Sequence, residues 1–87
     1  MTKGDTVRVH PLDQPERSAT GKVVMLSSNR CAIAVGFEDG APFKIAKRGF
    51  FAHPQYGMML FAARREPAAQ WQELLEGNVY VIEELAS

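Results

Sequence analysis

"GKVVMLSSNRCAIAVGF", residues 21–37, is the stretch that decides the fold. Two apolar runs, 21–26 and 31–37, flank the polar tetrapeptide "SSNR", and that arrangement predicts a β-hairpin. The first run is apolar at successive positions, as in an inner strand covered on both faces. The second alternates. Cys31, Ile33, Val35 and Phe37 share one face, and Ala32, Ala34 and Gly36 share the other. A face built from alanine and glycine is neither a solvated exterior nor a filled core, and it permits close approach by another element. The first expectation is a helix of the same chain, because small domains cover their own sheets. The second is a subunit contact.

Strand signals continue on both sides. "DTVRVH", residues 5–10, alternates, with Val7 and Val9 on one face and Thr6, Arg8 and His10 on the other. "PLDQPERSAT", residues 11–20, reads as a loop from its prolines and mixed charges. Asp39-Gly40 is a favoured hairpin dipeptide, and Phe43 and Ile45 alternate after Pro42 as a short edge strand near 43–46 would. "GMMLFAAR", residues 57–64, is predicted as a central strand, and "NVYVIEEL", residues 78–85, closes the chain as another. Between them "EPAAQWQELLEGN", residues 66–78, predicts a helix. Pro67 suits a first helical position, Gly77 suits a stop, and Trp71, Leu74 and Leu75 fall at i, i+3 and i+4.

The 87 residues make one domain, 1–87, with an ordinary apolar fraction of 46%. A chain this short buries only about 60–65% of the surface it exposes when unfolded. Completion of the core by a second copy is therefore expected, a dimer by preference. One cysteine, Cys31, excludes a disulfide scaffold and gives no zinc spacing. The first residues lack the apolar run of a signal peptide, and no window approaches a membrane span. A soluble, cytoplasmic protein without membrane contact is the expectation.

Net charge is zero, yet unevenly spread. Residues 1–39 carry five charges of each sign, residues 40–65 carry five cations and no acid, and residues 66–87 carry five acids and no cation. Neutralisation by packing of the last segment beside the middle one is the simplest account. A nucleic-acid surface is the other.

"GDTVRV" followed by "TGKVV" places Gly4, Asp5, Val7, Val9, Gly21 and Val23 in a pattern that resembles the KOW-type, SH3-like barrels associated with RNA and ribosomes. The resemblance covers about a quarter of the chain and implies a small barrel. Where that family places loop glycines, this chain has "PLDQPERSA" with Asp13 and Glu16, which weakens the implied RNA contact.

The candidate contact surface is "PFKIAKRGFFAHPQYG", residues 42–57, with Lys44, Lys47 and Arg48 set among Phe50, Phe51, His53 and Tyr56. Cations release counterions from phosphates and rings stack on unpaired bases, so the segment could hold nucleic acid. The simplest account is that Phe43, Phe50 and Phe51 fill the barrel mouth while the lysines stand in water. An apolar or protein ligand comes next, and a pI near 6.7 places nucleic acid after it. Methionines 25, 58 and 59 add adaptable apolar surface or simply fill the core.

Enzyme signatures are absent. There is no phosphate loop, dinucleotide fingerprint, nucleophile elbow or zincin helix. His10 and His53 each precede proline and read as loop residues without a metal-ligand set. Cys31 heads an apolar strand face and reads as core rather than as a nucleophile. Glu83 and Glu84, adjacent on a strand, point to opposite faces and cannot act as an acid–base pair.

The sequence thus predicts a mainly β fold: a small SH3-like antiparallel barrel or curved sheet of five to six strands, with one short C-terminal helix before the last strand. It predicts a non-catalytic binding module, without cofactor or metal, that contacts its ligand through residues 43–56 and self-associates. A small nucleic-acid-binding protein using the same loop comes second. An oligomeric enzyme with a site at a subunit junction, drawing on His53, Tyr56 and Lys47, comes third.

Overall fold

The computed structural model describes residues 1–38, 55–56, 58–74 and 77–85. Its strands are β1 (Thr6–Pro11), β2 (Ala19–Leu26), β3 (Ala32–Phe37), β4 (Met58–Ala63), β5 (Trp71–Glu73) and β6 (Val79–Glu84). They pair antiparallel in chain order, and β6 returns to β1 to close a barrel. Closure satisfies strand edges that an open sheet would leave available for pairing. The predicted edge strand near 43–46 and the Asp39-Gly40 turn lie outside the described residues.

The hairpin of residues 21–37 is present, and it explains its own irregular pattern. Val23 pairs with Val35 and Met25 with Ala34, so Val24 is an extra residue in β2, a bulge. The extra residue resets the alternation: Val23 and Leu26 face inward, while Met25 faces out and is 44% exposed. Apolar side chains on both faces therefore reflect a register shift as well as burial. In the turn, Ser27 Oγ accepts from the N–H groups of Cys31 (3.1 Å) and Ala32 (3.0 Å). Arg30 takes a positive φ of 61°.

Inward-facing Val7, Val9, Val23, Ile33, Val35, Phe37, Leu60, Ala62, Trp71 and Tyr80 form one core. Gly21 also faces inward, opposite Val7. A Cβ there would lie 2.8 Å from Val35 Cγ1 and 2.9 Å from Phe37 Cε1, so the absent side chain is room for Phe37. Two residue assignments need correcting. Cys31 is only half-buried, in the turn ahead of β3, with Sγ 3.4 Å from Asn29 O. His10 lies within β1 rather than in a loop, and its Nδ1 is 2.8 Å from the Pro11 carbonyl.

The C-terminal helix predicted over 66–78 is not formed among the described residues. Pro67 instead occupies the second position of a turn closed by Ala69 N–H donating to Glu66 O (3.0 Å). β5 then pairs with β4 through Ala62↔Glu73 and with β6 through Trp71↔Tyr80. Trp71 and Glu73, at strand spacing, are both buried, whereas Leu74 is 62% exposed. Gly77, at φ +77°, does end a helix-like bond, Gly77 N–H to Glu73 O (3.0 Å), but that bond turns a hairpin. An isolated helix of this length is marginal in water, and the strand supplies the last ladder that closes the barrel. Leu74→Lys should accordingly change the urea midpoint by less than about 0.5 kcal/mol equivalent. A helix packing Leu74 inward would instead lose several-fold more.

Candidate binding surface at Tyr56

Of the residues expected to form the contact surface, Tyr56 alone is described; Lys44, Lys47, Arg48, Phe50, Phe51 and His53 lie outside the described residues. Its placement answers the question raised by the small-residue face of β3. Ala32, Ala34 and Gly36 do face away from the barrel interior, and at Gly36 the cover is neither a helix nor another subunit. It is the Tyr56 ring. A Cβ built on Gly36 would fall 2.6 Å from Tyr56 Cδ2 and 2.8 Å from Cδ1, with Cγ closer still. Only a residue without a side chain allows the ring this seat.

Around the ring, cross-strand pairing sets the outer face. Thr6 lies opposite Lys22, and Lys22 lies opposite Gly36. Two hollows flank Tyr56 and share Lys22. One, of about 220 Å³, is lined by Thr6, Thr20, Lys22, Gly36, Glu38 and Tyr56 among others. The second, of about 180 Å³, adds Lys3, Val24 and Gln55. Glu38 and Tyr56, which bracket the basic-aromatic segment in sequence, line the same hollow. Glu38 and Tyr56 therefore lie on one face of the barrel. The sequence pattern names Tyr56 as a candidate contact residue and does not name its neighbours Lys22, Lys3 and Thr6. The signal available was the alternation of β1 and β2, which puts Thr6 and Lys22 on the same outward side as Gly36.

The N-terminal residues that border the second hollow are fixed. Gly4 N–H donates to Val23 O (2.8 Å), and Thr2 N–H donates to Asp5 Oδ2 (2.9 Å). The Thr2 backbone donor holds the Asp5 carboxyl below its ordinary 3.8. The Met1 ammonium lies 3.5 Å from Glu84 Oε1. Lys3 and Lys22, by contrast, make no ion pair among the described residues. Elsewhere Arg64, one of the cations of the middle segment, is not available to a ligand in this way. Its guanidinium lies 4.0 Å from the Trp71 ring centroid, and its Nε donates to Arg30 O (2.8 Å).

Among the described residues no cluster of three or more His, Cys, Asp or Glu side chains is placed to hold a metal ion. No helix there is long and apolar enough to cross a membrane.

Fold and surface together define a small closed antiparallel barrel with an aromatic ring seated on its outer face. The chain matches no protein-family model, and no curated protein or solved structure matches it significantly.

Proposed function

We propose that the protein is a cytoplasmic, non-catalytic binding module whose contact surface is the outer face of β1, β2 and β3 at Tyr56, together with residues 43–56. The observation that carries the reading is the ring of Tyr56 lying on Gly36 with a hollow on each side. Such an arrangement offers a ring edge, hydroxyls and a cation to a ligand laid across the sheet. Rings of this kind are frequent anchors of protein contacts. A protein or peptide ligand is favoured because Glu38 sits in the same hollow as Lys22 and the chain carries no net charge. The chain also self-associates in this reading, through the outer face where Met25 is exposed; light scattering across a tenfold concentration range reports the mass.

The test is selection of a phage-displayed random peptide library on the wild-type chain. Selected peptides should lose at least about tenfold in affinity on Tyr56→Ala and resist added salt. The alternative, a single-stranded nucleic acid, is favoured by Lys3 and Lys22, which share one hollow and make no ion pair among the described residues. Fluorescent oligothymidylate would then bind, weakening at least about tenfold between 50 and 200 mM salt and on Lys22→Glu. Selected peptides indifferent to Tyr56→Ala would overturn the surface itself.

A further inference from the structure

Thr6, the first residue of β1, lines a Tyr56 hollow; Pro11, its last, lines a different and larger space. There the segment joining β1 to β2 and the start of β6 border a cleft of about 510 Å³. That volume falls within the range of small-molecule sites, about 300–1,000 Å³. Its two sides are tied together by the barrel. Pro11 pairs with Tyr80, and Leu12 N–H donates to Val79 O (3.0 Å). The β1–β2 segment is itself folded by turns: Gln14 N–H donates to Pro11 O (3.1 Å) and Arg17 N–H to Gln14 O (3.0 Å).

These turns bring Asp13 and Arg17 to one lining. The two side chains carry opposite charge and are exposed, yet they form no ion pair with each other or with any other described residue. On the same lining Leu12 is an exposed apolar side chain, at 48%. A held cleft that presents a cation, an anion and an apolar group matches one ligand chemistry. We propose that it binds a small zwitterion with an apolar substituent, of the α-amino-acid class. The carboxylate is taken by the Arg17 guanidinium, whose paired donors suit it. The ammonium is taken by Asp13, and the substituent lies on Leu12.

Titration of the isotopically labelled chain with leucine, followed by amide NMR shifts, tests this independently of the Tyr56 surface. Saturable changes at 12–17 and 77–80 are expected by about 20 mM ligand. Leucinamide, lacking the carboxylate, and N-acetyl-leucine, lacking the ammonium, should each bind at least tenfold more weakly. Arg17→Gln and Asp13→Asn, whose spectra report retention of the barrel, should each weaken leucine at least tenfold. Absence of saturable shifts, shifts centred on Lys22 and Tyr56, or equal binding of all three compounds would overturn the assignment.

Discussion

Truncating Phe37 to alanine should lower the unfolding free energy by about 3–5 kcal/mol. Phe37 is the largest of the fully buried side chains, with no exposed surface. A folded chain of 87 residues has a total stability of about 4–13 kcal/mol, so this one change removes a large part of it. The loss is steep because the barrel has shaped itself around the ring. Gly21 contributes no side chain where Phe37 Cε1 would be 2.9 Å from a Cβ. Gly21→Ala should therefore cost about 1–3 kcal/mol by overpacking. The two sites are coupled. In a Phe37→Leu background Gly21→Ala should cost at least about 0.5 kcal/mol less than in the wild type. The relief stays partial, because Gly36 O also stands 2.8 Å from that Cβ and backbone yields less than a ring edge. Urea titration of the four chains gives the cycle, and strict additivity would show that Gly21 and Phe37 do not share the space.

Much of the barrel is legible in the sequence. Val7 and Val9, and Ile33 and Val35, lie where a period of two places them, and the continuous apolar run at 58–63 is a strand. Two features defeat that reading for physical reasons. At 71–75 the apolar residues satisfy helical spacing, while Trp71 and Glu73 satisfy strand spacing, and local pattern does not arbitrate between them. The deciding term is non-local: a ladder on each side of β5, to β4 and to β6, that only the closed barrel offers. At 23–26 the bulge at Val24 shifts the period by one residue, which no single-strand pattern reveals. The surface was legible only in half. The small face of β3 announced a close approach, and Tyr56 was among the suspected residues. Their meeting joins positions 20 residues apart through tertiary structure.

That meeting makes the sharpest prediction, because a single substitution should change sign with its background. In the wild type, Gly36→Ala places a methyl group inside the Tyr56 ring's seat, 2.6 Å from Cδ2. The ring must lift, at a cost of about 1–3 kcal/mol. The core register is kept, since position 36 faces outward opposite Lys22 and Met59. With Tyr56→Ala already present, the obstruction is gone. Gly36 has no positive φ, so alanine fits its backbone and restricts the unfolded chain. Gly36→Ala should then stabilise by about 0.4–1 kcal/mol. The coupling between the two positions is the difference, about 1.5–4 kcal/mol, large for a pair on a barrel's exterior. Chemical denaturation of the four variants measures it, with far-UV circular dichroism to verify that the sheet persists. If Gly36→Ala destabilised both backgrounds equally, something other than Tyr56 would occupy that place. Binding follows the same logic. A peptide selected on the wild-type surface should be lost on Gly36→Ala as on Tyr56→Ala, because the first displaces the ring that the second removes. Retention of binding by Gly36→Ala alone would mean that the ligand needs the phenol but not its seat on the sheet.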